Sequence, residues 1–346
     1  MSFLTAFEMT SGSNSQLTTS TGMKTALLFL LLPLLLLAGA PALAQQEAQY
    51  SQYMNNNYLL NPGATGVEDY IDIKASYRTQ WVGLEGAPQT FYLSASSSLG
   101  KWRSTPKRTL NDLRRSFHAI GGLVYRDVTG PTSRTSAYAS YAYNLALTPK
   151  IRAALGASVG MQQFAVDGNQ LQFYDPTTVA ASAASRVLDA SVGLWVYSPD
   201  FYVGVSSTQL LGNKLDFSYS PGQLDAGAPG NSLRRHYFAT GGVRVPLSED
   251  WSVVPSVLVK AVSPAPLSVD LNAKLKYQDL LWFGVSWRAF DSAVALVGFS
   301  YEQFTVGYSY DAGLSKLNNY HYGSHEILLG LRLKKKAQVV CTNKFW

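Results

Sequence analysis

Four histidines, His118, His236, His321 and His325, are the candidates for a general base, and serine is plentiful. A distant Ser–His pair could do acyl transfer if a third group oriented the imidazole. The local patterns that build such sites are missing: there is no nucleophile elbow and no HExxH. The single cysteine, Cys341, leaves no internal disulfide and no cysteine-based metal site. No metal-ligand spacing or phosphate-cradling glycine loop occurs. The chain reads as a non-enzyme, with no catalytic residue, no cofactor and no metal.

The chemistry that remains is recognition. Residues 99–116 read LGKWRSTPKRTLNDLRRS. Lys101, Arg103, Lys107, Arg108, Arg114 and Arg115 stand there against one acid, Asp112. Such a run could attract nucleic acid or steer an acidic protein surface. Trp102 lies between two of the cations, and Trp and Arg are favoured interface anchors. A solvated loop is the plainer reading of the charge alone.

What positions these residues follows from composition. Of 346 residues only 14% are charged, against about 25% in an ordinary soluble protein. Aromatics reach 12%, led by 21 Tyr, and the formal charge is +6. The one long apolar run, Leu27 to Ala38, is too short for a spanning helix, which needs about 20 residues. Lys24 precedes it and Ala42-Leu43-Ala44 follows, the pattern of a secretory signal peptide cleaved after Ala44. The expected organisation is upstream sequence over 1–22, with Met23 the better start, and a signal peptide over 23–44. A periplasmic N-terminal segment over 45–68, a barrel over 69–333 and a basic periplasmic tail over 334–346 would follow. Export argues against nucleic acid, so an acidic periplasmic protein is the expected partner.

The mature chain alternates apolar and polar residues with period two. Leu267, Val269, Leu271, Ala273, Leu275 and Tyr277 share one face; Asp270, Asn272, Lys274 and Lys276 share the other. Fourteen such segments are expected: 70–79, 89–98, 117–127, 134–147, 151–166, 187–197, 201–211, 234–245, 251–262, 267–278, 280–289, 292–301, 303–310 and 325–333. Most have the 9–11 residues or more that a tilted membrane strand requires, longer than the 5–6 usual in soluble sheets. Apolar faces end in Tyr77, Tyr143, Tyr277 and Trp287, as an interfacial aromatic girdle would. These features favour an all-β transmembrane antiparallel barrel of the outer-membrane type over a soluble sandwich. Closure leaves no strand edge unpaired in lipid.

Connections after even-numbered strands are mostly tight, as at Thr148-Pro149-Lys150 and Ser198-Pro199-Asp200. Long ones, 167–186, 212–233 and 311–324, follow odd strands. Short turns face the periplasm in such barrels. Both termini are therefore expected there, together with the basic loop 99–116, and with Lys334, Lys335, Lys336 and Lys344 of the tail.

Two further segments stand out. Gln49 to Gly66 reads QYSQYMNNNYLLNPGATG, and Tyr77 to Thr90 reads YRTQWVGLEGAPQT. In the first, the Asn run and Asn61-Pro62-Gly63 are turn chemistry; it is either a folded plug or docking segment, or a simple lead-in loop. In the second, Gly83 and Gly86 can take positive φ and Pro88 cannot. That loop either folds inward to narrow the barrel or makes a hairpin with Trp81 in the outer girdle, the favoured reading. The pair of motifs resembles the PorP/SprF family of type IX secretion outer-membrane proteins, with Gln52, Tyr53, Asn61 and Pro62 marking the first and Trp81, Gly83, Gly86 and Pro88 the second. The likeness extends to Gly323-Ser324-His325-Glu326-Ile327. It implies a barrel of this size serving secretion of surface proteins or gliding motility. Its implied partners are periplasmic ring or anchor proteins of that machine, or a secreted substrate's C-terminal domain. A channel for small solutes is the alternative.

Overall fold

The computed structural model describes residues 47–99, 116–171, 182–215, 217, 232–289, 291–314 and 319–333. The expected signal peptide, Lys101, Trp102, Arg103, Lys107, Arg108, Arg114 and Arg115, and the tail 334–346 lie outside the described residues.

The described strands are β1 (Ile71–Thr79), β2 (Gln89–Leu99), β3 (Phe117–Thr129), β4 (Thr132–Ala146), β5 (Arg152–Val166), β6 (Ala183–Tyr197) and β7 (Phe201–Thr208). They continue with β8 (His236–Val243), β9 (Val245–Pro246), β10 (Trp251–Val262), β11 (Ser268–Tyr277), β12 (Leu281–Arg288), β13 (Ser292–Tyr301), β14 (Phe304–Gly313) and β15 (Ser324–Leu333). β8 and the two-residue β9 are one strand interrupted at Arg244, since both pair with β10. Every pairing is antiparallel, each strand lies beside its sequence neighbours, and β1 pairs with β15 to close the ring. The result is a barrel of fourteen strands, as the alternation predicts. Among the described residues no helix is long and apolar enough to cross a membrane.

Burial follows the strand period, inverted from that of a soluble protein. Leu271 is 47% exposed, while Asp270 and Asn272 beside it are 0% and 6% exposed. Leu155, Val159, Leu188, Val285 and Leu329 are exposed in the same way, and Asp72, Lys74, Arg78, Asp311 and Glu326 are buried. An apolar exterior and polar interior suit strands that face lipid on one side only. Of the expected girdle residues, Tyr77, Tyr143 and Trp287 stand exposed on the outside, and Trp251 packs on Tyr277 with ring centroids 4.8 Å apart.

Three boundaries differ from the alternation by three residues or more. β6 begins at Ala183, four residues before the expected 187, because Ala183–Arg186 continue the ladder with Gln163–Val166 despite having no large apolar side chain. β7 ends at Thr208 rather than 211: Gln209 turns to φ 57°, which breaks the strand. β14 continues to Gly313, past the expected 310, because residues 311–313 stay paired with Ser292–Val294 of β13.

Candidate functional site: a lumen filled by the N-terminal segment

Residues 47–70 do not lie below the barrel, as the expected periplasmic segment would. They run through its lumen. Glu47 pairs with Arg134 near the start of β4 (3.3 Å) and Gln49 accepts from Arg288 at the end of β12 (3.2 Å). Both contacts are at the long-loop end of the barrel. Seventeen residues on from Gln49, Gly66 lies against Ser97 and Ala119, near the short-turn end. The chain then reverses into β1. The plug reading of Gln49 to Gly66 is therefore the one the structure adopts.

A segment inside a barrel has no strand partner, so its backbone polar groups must be satisfied by other means. Three short 3₁₀ turns do this locally: Tyr53–Asn55, Asn57–Leu59 and Pro62–Ala64. Such turns close their own hydrogen bonds in three residues. Asparagine and serine side chains make the remaining links to the wall. Asn56 donates to Ser94 Oγ (2.9 Å), Tyr58 and Ser140 share a bond of 2.7 Å, and Lys274 donates to Asn55 Oδ1 (3.0 Å). Asn272 donates to Tyr53 Oη, and Ser206 donates to the Leu60 carbonyl (2.6 Å).

All four residues singled out in this motif are used. Gln52 is fully buried and donates from Nε2 to the Glu326 carbonyl at 3.0 Å. Tyr53, with Met54 and Leu60, packs on Phe238, Leu258, Trp282, Val294 and Leu296. Asn61 donates to the carbonyls of Leu194 and Val205, both at 3.1 Å, and its Oδ1 accepts from the Gly63 amide at 2.8 Å. It thereby caps the turn that Pro62 opens, a position suited to both residue types. Asn61-Pro62 fits because the wall beneath it is glycine. A Cβ on Gly156 would collide with the Pro62 carbonyl, and one on Gly193 with Asn61 Oδ1. These glycines lie on neighbouring strands, β5 and β6.

The other end is held by charge. Arg78 lies 2.9 Å from Asp311 and 3.6 Å from Glu326, all three nearly inaccessible. Ser51 sits among them: its amide donates to Glu326 Oε2 (2.7 Å), its hydroxyl donates to Asp311 Oδ2 (2.5 Å), and Arg78 donates to that hydroxyl (2.7 Å). Arg288 extends the network to Asp291 (3.0 Å), Asp270 (3.4 Å) and Asp311 (3.8 Å). At the opposite end of the segment Glu68 is buried. Loss of water, and next the nearby Asp72 carboxylate, push its pKa up to about 8.

The second motif closes over the long-loop end. Trp81 takes φ 45°, and Gly83 and Gly86 take φ 103° and 68°. Strand parity would send Trp81 outward into the girdle. The left-handed turn instead brings it beside Arg78, Arg288 and Asp311 in one crevice, with its ring 6.4 Å from that of His321. The inward reading of this loop replaces the girdle reading. Its backbone is tied to the last long loop, Val82 N to the Gly323 carbonyl (2.9 Å) and Tyr322 N to the Val82 carbonyl (2.8 Å). Pro88 ends the loop, where its carbonyl accepts from Gln80 N at 2.9 Å.

The histidines are dispersed. His118 and His325 face outward against Tyr141 and Tyr308, while His236 bonds Gln209 in the lumen. Among the described residues none of the four bonds a serine side chain. The signal in the sequence that pointed to a filled lumen is a set of large apolar residues at polar-face positions: Trp195, Leu258, Trp282, Leu296 and Leu328 are all buried inside. A water-filled channel would leave them wet.

This geometry defines an outer-membrane-type β-barrel closed by its own N-terminal segment. The family described as type IX secretion system membrane protein PorP/SprF matches residues 42–331, and the chain belongs to that family. No curated protein matches by sequence. Solved barrels similar in structure include Omp33 of Acinetobacter baumannii, 11% identical, covering 78% of this chain and 100% of that one at a TM-score of 0.43. A FadL homologue of Pseudomonas aeruginosa is 12% identical, covering 79% and 91% at 0.43. The toluene transporter TodX of P. putida is 7% identical, covering 80% and 93% at 0.47.

Proposed function

We propose that this barrel is an accessory or anchoring component of type IX secretion that docks periplasmic ring proteins or the C-terminal domain of a secreted substrate. In that role it serves delivery of surface proteins or gliding motility. It reaches the outer membrane by a signal peptide cleaved near Ala44. The observation that carries this reading is the filled lumen: a passive channel gains nothing from a segment bonded to the wall along its whole length. Short turns face the periplasm in this reading, and β2, β3 and β15 begin or end at that side. Leu99, which precedes the basic loop, and Leu333, which precedes the lysine-rich tail, both end their strands at that side. Lys101, Arg103, Lys107, Arg108, Arg114 and Arg115 would speed encounter with an acidic surface, and Trp102 would be buried on docking.

Crosslinking and pull-down from native membranes test this, with planar-bilayer conductance of the purified protein alongside. Expected are captured periplasmic proteins, fewer of them after Arg114→Ala/Arg115→Ala, and no steady conductance. An open-pore current without any captured partner would overturn the reading in favour of a solute channel.

A further inference from the structure

The described strands place their Lys and Arg residues at lumen-facing positions with two exceptions, Arg126 on β3 and Arg186 on β6, and place no acid outward. The two exceptions share one lateral row. Arg126 is opposite Thr135, Thr135 opposite Gln163, and Gln163 opposite Arg186. The row thus reads Arg, Thr, Gln, Arg across four adjacent strands, with its ends three strand spacings apart, about 14 Å. The next outward row toward the short-turn end is Val124, Ala137, Met161 and Leu188, wholly apolar. The polar row therefore sits where the lipid-facing band stops, on the long-loop side. An outward arginine is costly at mid-bilayer and nearly free at the interface, which fixes the row at headgroup depth.

The row borders an open cleft of about 330 Å³ lined in part by Arg126, Thr132, Ser133, Gln170 and Ser182. Its one acid, Asp167, has its oxygens engaged by Asn169, Gln170 and Ser182. Arg186 is steadied by Gln163, to which its Nε donates at 2.8 Å, leaving the outer guanidinium nitrogens for a ligand. Two separated guanidiniums, one hydroxyl and one amide between them, further hydroxyls in the bordering cleft and an apolar wall below match an amphiphile with phosphates on a sugar headgroup. Arginine forks favour phosphate through paired N–H donors. We propose that this face binds a phosphorylated glycolipid of the outer leaflet, with Arg126 and Arg186 each on a phosphate and Val124, Met161 and Leu188 against its chains. The assignment to the outer leaflet rests on the orientation given above, in which the long loops face outward.

The test uses the full-length purified protein in detergent. Diphosphoryl lipid A, its dephosphorylated form, phosphatidylglycerol and inorganic phosphate are each titrated, with binding read by native mass spectrometry. Expected is binding of diphosphoryl lipid A, at least tenfold weaker for the dephosphorylated lipid and for R126Q/R186Q. The double variant should keep its heat-modifiable mobility, and R126K/R186K should lose less. Equal binding by R126Q/R186Q or by the dephosphorylated lipid would overturn the proposal. So would equal binding of phosphatidylglycerol, or displacement by inorganic phosphate at matched concentration. Partner capture should be unchanged by these substitutions, so a failure here is distinct from a failure of the docking reading. Should the double variant not fold, the lipid comparison on the native protein decides alone.

Discussion

The two ends of the luminal segment are held by opposite means. At Ser51-Gln52 the wall supplies charge: Arg78, Asp311 and Glu326 surround one hydroxyl and one amide. At Asn61-Pro62 it supplies space: Gly156 and Gly193 leave room that a single methyl would fill. The first arrangement depends on every member of a buried network being present. The second depends on atoms being absent. The plug should therefore fail differently at each end, and the difference can be measured.

The largest effect is expected at the charged end. Arg78→Met leaves Asp311 and Glu326 buried without their shared cation. Removing one partner of a buried pair costs about 3–5 kcal/mol. Urea unfolding in detergent should show that loss. Adding Asp311→Asn and Glu326→Gln should recover part of it, because the stranded charges are then removed. If Arg78→Met alone is neutral, the charged end is not what holds the segment.

Glu68, where the segment leaves the lumen, gives a pH signature. Its pKa is raised to about 8 in the folded chain, chiefly by burial, so the folded state keeps a proton that the unfolded state releases near 4.5. Stability contributed by this group is complete below the unfolded value, falls as pH rises toward 8 and levels off above it. The slope is at most about 1.4 kcal/mol per pH unit. Glu68→Gln should flatten it between pH 5 and 8. Identical urea midpoints across that range for the native chain and the variant would refute the burial argument.

At the glycine end, Gly156→Ala and Gly193→Ala each force a carbon into the plug. Overpacking of this kind costs about 1–3 kcal/mol. Gly122→Ala is the control, since a Cβ there meets nothing nearer than the Tyr138 carbonyl at 3.9 Å. The distinguishing readout is conductance. The charged end should stay fixed while the Asn61-Pro62 turn is pushed out, so the alanine variants should show flickering current that Gly122→Ala lacks.

How much of this was legible in the sequence divides along the same line as the barrel wall. Lipid demands apolar side chains on one face, so Leu271, Leu155 and Val285 announced the strands by period alone. The lumen makes no such uniform demand. Asn55, Asn56 and Asn57 read as turn chemistry whether they lie in water or in a packed interior. Gly156 and Gly193 read as small polar-face residues until a plug is placed over them. Parity points Trp81 outward because it assumes an extended backbone, which the residue's φ of 45° interrupts. Leu258 and Trp282, inward and apolar, were the available clue to a filled lumen. The basic loop rests on its sequence alone, since its cations lie outside the described residues.

The smallest effect is also the most specific, because it asks whether one side chain and one glycine belong together. Asn61→Ala removes two donations to the wall carbonyls of Leu194 and Val205 and the cap on the Pro62 turn. Such a loss costs on the order of 1–2 kcal/mol. It also removes the atom that a Cβ on Gly193 would strike. If Gly193 is glycine because of Asn61, the penalty of Gly193→Ala should shrink in the Asn61→Ala background. The two losses should then sum to more than the double variant shows, by about 0.5–1 kcal/mol, within the range measured for residues in contact. Gly122→Ala combined with Asn61→Ala should be additive, because Gly122 does not touch the segment. Additivity in both pairs would mean that Gly193 answers to strand packing alone, and that the seat for Asn61-Pro62 is incidental to the wall.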